Sequence, residues 1–325
     1  MSLIFFQTHL EDVRNHDMMA ENQAPEAAGR NEPERLNSQD WDVLLRRIRA
    51  QKCTPILGPG AYVDSLPFNL KIARDWATDP EYPFEDCFEM SRVAQFLSIK
   101  FDATDPKDRI VEQLRNLAPP DFENRNEPHR ILAKLPLPVY ITTNYDDFMK
   151  QALELNHKNP ERDFCRWNKF CQGSEPSIFA SDYKPTVARP TVFHFHGYAE
   201  VAESLVLTDD DYLDFLVSTS RDEKLIPPHI EKALTGTSLI LLGYRLDDWN
   251  FRVLFRSIVS YLEKSLIKTH VSVQLEPVAE HTSAEQKTRA RNYFNRYFDR
   301  HDVRVYWGTC QDFVTELNQR WGEED

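Results

Sequence analysis

Four short segments carry the side chains whose types and spacing suit chemistry, and each follows an apolar run. They are Gly58-Pro59-Gly60-Ala61, Thr143-Asn144-Tyr145-Asp146, His196-Gly197 and Gly243-Tyr244-Arg245-Leu246-Asp247. Because parallel strands bind ligands in the crevice outside their carboxyl ends, we expect segments that follow buried strands to meet there. Glycines, a carboxamide, carboxylates and a histidine at such a crevice suit contacts to a phosphorylated sugar and a proton transfer.

The first and last segments offer contacts to two parts of a dinucleotide, its pyrophosphate and one of its riboses. Gly58 and Gly60 let the backbone approach a pyrophosphate closely at a helix amino end, with Ala61 completing the loop. The third glycine of the GxGxxG pattern is missing, and taken alone the segment is read better as a turn without a ligand. Asp247 can accept hydrogen bonds from a ribose diol, cap the helix that follows, or do both.

The second segment places a carboxamide and a carboxylate two residues apart at a strand end. Asn144 can hold a ribose hydroxyl or a water, and Asp146 can orient its neighbours. The alternative is an Asx-type cap of the following helix, which needs no ligand.

The third segment ends an apolar run with His196, whose unperturbed proton affinity suits general base work near neutral pH. His194 and His196 alternate with Phe193 and Phe195, so either histidine is also readable as a satisfied core residue. The two histidines resemble the start of a metal site, but no third ligand stands at a plausible spacing. We therefore expect no metal.

From Trp41 onward, apolar runs alternate with amphipathic stretches, which is typical of strands buried on both faces between helices. Strands are predicted over residues 53–57, 137–142, 191–196, 238–242, 270–275 and 303–307, with the run 238–242 at the sheet centre. The helical stretches include residues 84–135, 146–155 and 247–266. Further helices are predicted to begin at Thr208, which is followed by three aspartates, at the capping box Thr282-Ser283-Ala284-Glu285, and at Thr309, which caps the last helix. The sequence predicts an α/β fold: a Rossmann-like doubly wound parallel sheet with an inserted helical subdomain.

The predicted domain organisation has an N-terminal segment and mobile linker over residues 1–40, then one nucleotide-binding domain over 41–325. Within that domain we expect a helical insertion at about 76–135 and an irregular excursion at about 156–190. The linker is expected because residues 18–40 hold almost no large apolar side chain.

Composition limits the classes of partner and the compartment. The 325 residues carry a formal net charge of −13, which repels phosphate backbones, so no direct nucleic-acid partner is expected. No apolar run approaches the roughly 18 residues of a membrane span, and the amino terminus is acidic where a signal peptide is basic, so we expect no membrane contact and a cytoplasmic protein. The five cysteines form no CxxC pair, which argues against a disulfide framework or a zinc site.

Taken together and in this order, the four segments resemble the Sir2 superfamily, and more closely its bacterial Sir2-like branch associated with anti-phage defence. The loop at Gly58 is similar to the family's phosphate loop, the segment of Asn144 and Asp146 to its Thr-x-Asn-x-Asp run, and His196-Gly197 to its catalytic His-Gly. Residues 204–212 and 243–251 look like the defence branch. The resemblance covers about residues 41–325.

The chain also departs from that family. Tyr62 stands where a small residue is usual, and Asp64-Ser65-Leu66-Pro67 replaces a Gly-Ile-Pro-Asp-Phe-Arg run. The paired-cysteine zinc module that supports the acyl-peptide groove of the deacylases is missing, since Cys165 and Cys171 stand five residues apart without partners. We take that as an argument against an acyl-lysine substrate.

The resemblance implies an NAD⁺ hydrolase that releases nicotinamide and ADP-ribose, with NAD as substrate and no metal. Its catalytic residues would be Asn144, His196 and Asp146. The cofactor-binding residues would be Gly58, Gly60, Ala61, Thr143, Gly197, Gly243, Tyr244 and Asp247. It further implies a homo-oligomer, a defence-system partner protein or phage trigger, and depletion of cellular NAD.

Two other classes of function stay open. One is an NAD-dependent protein deacylase or ADP-ribosyltransferase on the same scaffold, which would turn over NAD only with a peptide acceptor. The other is a non-catalytic NAD or ADP-ribose sensor whose role is assembly, which would bind tightly without consuming NAD.

Overall fold

The computed structural model describes residues 36–61, 68–173, 176–222, 225–245, 249–262, 269–275 and 282–322. Seven strands form one sheet within these ranges. They are β1 (Cys53–Leu57), β2 (Val139–Thr142), β3 (Glu161–Phe164), β4 (Thr191–His194), β5 (Ser238–Leu242), β6 (His270–Gln274) and β7 (Val303–Trp307). Their order is β3-β4-β2-β1-β5-β6-β7, and every pairing is parallel. The predicted α/β Rossmann-like sheet is confirmed.

Helices connect and cover the strands. They are α1 (Ser38–Arg49), α2 (Phe68–Trp76), α3 (Met90–Lys100), α4 (Asp105–Arg115), α5 (Pro128–Lys134), α6 (Phe148–Leu155), α7 (Asp209–Arg221), α8 (Pro228–Gly236), α9 (Trp249–Leu262), α10 (Ala284–Asp299) and α11 (Cys310–Gly322). None of the helices in the described ranges is long and apolar enough to cross a lipid bilayer. Residues 1–35, Tyr62 and Asp247, for which the sequence made predictions, lie outside the described residues.

The strands bury both faces, so successive side chains enter two separate cores. Leu57 and Leu242 point to a core shared with α1, α5, α6 and α11. Their neighbours Ile56 and Leu241 point to the opposite core, shared with α7, α8, α9 and α10. This alternation follows from the two-residue period of a strand and explains why the strand sequences are continuously apolar.

A third core lies under the helical insertion. Ile72 of α2, Val93 of α3 and Ile110 of α4 pack together with Tyr145 and Leu207, which belong to loops at the carboxyl edge of the sheet. Helix α5 contributes to the first core instead. The insertion therefore packs directly over the loop that carries the second predicted site segment.

Strands β2, β4 and β6 are one or two residues shorter than predicted. Two further details differ from the sequence predictions. The polar stretch 156–190 contains the edge strand β3, which pairs with β4. The helix start predicted at Thr282 with Glu285 lies one residue later, because Ser283 accepts the hydrogen bond from the Gln286 amide. Helix α7 begins as predicted at Thr208, whose side chain accepts from the Asp211 amide.

Candidate active site

The two glycine loops that follow β1 and β5 are hydrogen-bonded to each other. The Gly58 amide donates to the Leu242 carbonyl at 2.8 Å, and the Gly60 amide donates to the Gly243 carbonyl at 2.9 Å. Gly243 has a φ of +77°, and a Cβ atom on it would lie 2.3 Å from the Ala61 nitrogen. Only glycine fits that position, because the backbone is left-handed and the facing loop is in contact.

The phenol of Tyr244 ties these loops to the end of β2. Its hydroxyl donates to the Leu57 carbonyl at 2.9 Å and lies 3.0 Å from the Thr143 hydroxyl. Burial raises the pKa of Tyr244 well above its usual range, so the hydroxyl stays protonated and remains a donor. Thr143 and Tyr244 therefore hold the end of β1, from which the glycine loop begins, against the end of β2.

Asn144 lies where the glycine loop and the β2 end meet. Its Nδ2 donates to the Gly58 carbonyl at 3.2 Å, and its backbone amide donates to the Thr142 hydroxyl at 3.0 Å. The residue is 7% exposed. No residue in the described ranges donates to its Oδ1, which leaves one oriented acceptor for a water or a sugar hydroxyl.

The Asp146 side chain forms an Asx-type turn just before α6. Its Oδ1 accepts a hydrogen bond from the Phe148 amide at 3.0 Å, at the start of α6. It also lines a small open cleft beside Asn144. The cleft has a volume of about 10 Å³, which is room for about one water molecule, and it is lined by Pro59, Asn69, Leu114, Thr143, Asn144, Tyr145 and Asp146.

His196 and Gly197 lie on the loop beside the Asn144 segment, because β4 pairs with β2 and the Phe195 amide donates to the Thr142 carbonyl at 2.8 Å. The His196 ring packs edge-on against Tyr212 and Phe215, and it is not among the residues that line the cleft. Burial lowers the pKa of His196 to about 3. The ring is therefore neutral at physiological pH.

Gly197 is the second position where glycine is required. Its φ is +82°, and a Cβ atom there would lie 2.2 Å from the Ser204 carbonyl oxygen. The turn sends the chain back toward α7, which carries the rings that enclose His196. The loop is further fixed by Tyr145, whose hydroxyl donates to the Val206 carbonyl at 2.6 Å.

Sequence reasoning missed two residues beside Asn144. His194, which was named only as a core alternative, lies 3.0 Å from the Asn144 carbonyl through its Nδ1. Asp147, the second of two adjacent aspartates, faces the other side of that ring. The doubled aspartate and the second histidine were visible in the sequence, but only the pairing of β2 with β4 brings them together.

Among the described residues, no group of three or more His, Cys, Asp or Glu side chains is arranged to hold a metal ion.

Part of the chain matches a known family and aligns with curated proteins. Residues 138–298 match the family model described as a SIR2-like domain. The chain is 24% identical over 210 residues to the NAD(+) hydrolase ThsA of Bacillus cereus (strain MSX-D12), an alignment covering 60% of this chain and 38% of that protein. It is 30% identical over 127 residues to the NAD(+) hydrolase ThsA of Cytobacillus dafuensis, covering 38% of this chain and 22% of that one.

The chain thus spans between about a fifth and two fifths of the curated relatives it matches. A third, the NAD(+) hydrolase ThsA of Acinetobacter baumannii (strain 532279), is 26% identical over 144 residues, 42% of this chain and 25% of that protein. The matched region contains the Asn144, His196 and Gly243 segments and five of the seven described strands, β2 to β6. Residues 138–298 of the chain are therefore a SIR2-like domain.

Proposed function

We propose that the protein is an NAD⁺ hydrolase that converts NAD⁺ and water to nicotinamide and ADP-ribose. The observation that carries the proposal is the Asn144 carboxamide, which donates to the glycine loop at the Gly58 carbonyl and belongs to a residue that lines the cleft at the strand ends. The SIR2-like domain and the relatives named NAD(+) hydrolase support the same reaction. NAD is the substrate, and no metal takes part.

In this proposal the pyrophosphate lies at the loop of Gly58, Gly60 and Ala61, and the nicotinamide ribose lies beside Asn144. The bond between the ribose C1′ and the nicotinamide nitrogen breaks, and the bonding electrons leave with nicotinamide. The sugar then carries oxocarbenium character at C1′. Water adds its oxygen to C1′, and its proton passes to solvent. Such a centre needs an oriented water and charge stabilisation more than a strong nucleophile.

Each side chain then has a limited task. Asn144 orients the water or a ribose hydroxyl through its Oδ1, and Asp146 holds the loop through its hydrogen bond from the Phe148 amide. His196 acts in its neutral form, which accepts a hydrogen bond from the attacking water or from the ribose. With a pKa of about 3 the ring is a weak base, which suffices only because an oxocarbenium-like carbon is attacked readily. The proposal requires the ring to contact the nucleotide when NAD is bound.

The experiment that tests this reaction is incubation of the full chain with NAD⁺ and identification of the products by mass. Nicotinamide and ADP-ribose in equal amounts, formed without any other substrate, are expected. Turnover that requires an acylated peptide would replace the proposal with a deacylase, and an ADP-ribosylated acceptor with a transferase. Binding of NAD⁺ without any product would replace it with a sensor.

We further propose, from the family resemblance, that the enzyme works in anti-phage defence by depleting NAD. In that role it forms a homo-oligomer and is held inactive until a partner protein or a phage-derived trigger releases it. Cellular NAD measured during phage infection tests the role, with the Asn144→Ala variant as its control. Light scattering of the purified chain tests the oligomer.

A further inference from the structure

The buried ring of His194 lies between two loops of the candidate site, and its contacts define its protonation. The residue is the last of β4 and has no exposed surface. Its Nδ1 lies 3.0 Å from the carbonyl oxygen of Asn144. A carbonyl oxygen can only accept, so Nδ1 carries the proton and donates to the Asn144 backbone.

The opposite nitrogen of the ring faces a carboxylate. Nε2 lies 3.8 Å from Oδ1 of Asp147, beyond hydrogen-bond distance. Both atoms are buried without a hydrogen-bond partner in the described part of the chain. Burial lowers the pKa of His194, and the Asp147 carboxylate opposes that shift. With the proton on Nδ1, the Nε2 lone pair faces the carboxylate without a hydrogen bond, so the contact with the Asn144 carbonyl is the hydrogen bond that fixes the orientation of the ring.

Neighbouring side chains hold this arrangement in place. The other oxygen of Asp147 is ion-paired with Arg162 of the edge strand β3, and Arg162 also bonds Glu200 at 2.6 Å. The guanidinium of Arg162 lies 4.2 Å from the centre of the Tyr198 ring, which in turn packs on His194 with ring centres 5.5 Å apart. The charged groups that face the imidazole are thus Asp147, Asp146 and Arg162.

We propose that His194 is a positioning residue for Asn144, supported by Asp147 and Arg162. The inference rests on the proposed function, in which Asn144 orients the water or the ribose. By fixing the Asn144 carbonyl, His194 prevents that peptide from rotating. The amide then keeps its Nδ2 on the Gly58 carbonyl and its Oδ1 toward the cleft. Without the His194 side chain, NAD⁺ still binds, but the Asn144 carboxamide is misaligned with the water or the ribose.

The test replaces His194 with three side chains that differ in whether, and where, they place a hydrogen-bond donor to the Asn144 carbonyl. In His194→Asn, the carboxamide nitrogen stands close to where Nδ1 stood and can still donate to the Asn144 carbonyl. In His194→Gln the nitrogen is one bond further out, and in His194→Phe the ring remains but the donor is gone. Initial rates of nicotinamide release give kcat and KM for each variant.

The expected result is a split between the two constants. His194→Phe and His194→Gln lower kcat by about 10- to 100-fold with KM close to wild type, since small misalignments carry costs of that size. His194→Asn retains most of the wild-type kcat. Wild-type kcat in His194→Phe overturns the proposal, and so does an equal loss in His194→Asn and His194→Phe.

A second pair of variants keeps the test decisive if the ring substitutions unfold the chain. Asp147→Asn keeps the volume and offers an amide donor to Nε2, so kcat is expected to be retained. Asp147→Leu removes the ion-pair partner of Arg162, which packs on the Tyr198 ring against His194, and kcat is expected to fall with that of His194→Phe. Equal kcat in the two Asp147 variants overturns the proposal.

The matched control is His270, another buried strand histidine. It stands at the amino end of β6, where its Nδ1 accepts from the Leu239 amide at 3.0 Å. His270→Phe is expected to lower the unfolding midpoint in urea without changing kcat, whereas a fall in its kcat would show that loss of any buried histidine suffices. Failure of the wild-type chain to release nicotinamide overturns both this inference and the proposed function. An active wild type, an inactive Asn144→Ala and a fully active His194→Phe overturn this inference alone.

Discussion

The ring of Tyr244 fills the space that a side chain at position 58 would need. A Cβ atom built on Gly58 would lie 2.4 Å from Cε1 of Tyr244. The two residues come from loops after β1 and β5, which are adjacent in the sheet. The glycine in this loop is therefore required by packing against a protein ring, in addition to any need to approach a phosphate.

Gly58→Ala is accordingly expected to lower the free energy of unfolding by about 1–3 kcal/mol, because an added methyl overpacks a buried ring. Urea denaturation measures it. Gly236→Ala is the matched control: Gly236 ends α8 and a Cβ atom there meets nothing within 4 Å, so a gain of about 0.4–1 kcal/mol is expected. Equal effects of the two substitutions would contradict the packing argument.

Tyr244→Phe removes only the hydroxyl that bonds the Leu57 carbonyl and faces the Thr143 hydroxyl. The Leu57 carbonyl still accepts from the Thr143 amide, and the Thr143 hydroxyl still donates to that carbonyl, so neither group is left unsatisfied. We therefore expect a loss of about 0.5–1.5 kcal/mol in the free energy of unfolding. Tyr293→Phe serves as the control, since Tyr293 is 66% exposed and its change is expected to stay within about 0.5 kcal/mol. A Tyr244→Phe protein as stable as wild type would show that these hydrogen bonds add little.

Asn144→Ala is expected to lower kcat for nicotinamide release by at least about 100-fold, the usual cost of losing an oriented polar group at a reacting centre. Stability is expected to fall by only about 1 kcal/mol, because one hydrogen bond to the Gly58 carbonyl is lost. Asn144→Asp keeps the shape but replaces the donor with a carboxylate that faces that carbonyl, and its kcat is expected to fall as well. Full activity in either variant would end the assignment of Asn144.

His196 gives a prediction about pH. Its pKa is lowered from an ordinary value near 6.5 to about 3 in the folded chain, so the unfolded chain binds the extra proton first as the pH falls. The stability that this group contributes is present above pH 6.5 and is lost as the pH falls from 6.5 toward 3, at up to about 1.4 kcal/mol per pH unit.

The measurement is the difference in unfolding free energy between wild type and His196→Gln at several pH values, which cancels the titration of the carboxylates. The difference is expected to change across that window and to be constant above it. Because His196 does not titrate near pH 6.5, the wild-type kcat is expected to show no fall near that pH that depends on this residue. A difference that is flat from pH 7 to 4 would contradict the depressed pKa.

Most of the sheet could be predicted because its strands are buried on both faces. Continuous apolar runs such as Ser238–Leu242 admit few other interpretations, and β1, β5 and β7 have the predicted bounds. Strand β3 could not be predicted in this way, because it lies at the sheet edge and its first two residues, Glu161 and Arg162, are only half-buried. An edge strand has one ladder partner and little apolar patterning, so periodicity does not detect it.

The candidate site was less accessible from the sequence than the sheet. Segment order and residue type were enough to select Asn144 and the glycine loops as candidates. The environment of His196 was not predictable, since its enclosure by Tyr212 and Phe215 depends on how α7 packs across the loop. The contact between His194 and the Asn144 carbonyl likewise depends on the register of two strands that are remote in sequence.

The position of β1 between β2 and β5 has a consequence for how the chain is made. Residues 138–298, the part that matches the SIR2-like model, contain β2 and β5 but not the strand that joins them. Cys53 of β1 pairs with Ser238 of β5, so one edge of β1 stays unpaired during synthesis until β5 has been translated. The glycine loop of residues 58–61 is hydrogen-bonded to Gly243. A nascent or truncated chain that ends before Gly243 therefore lacks one of the two glycine loops of the candidate site.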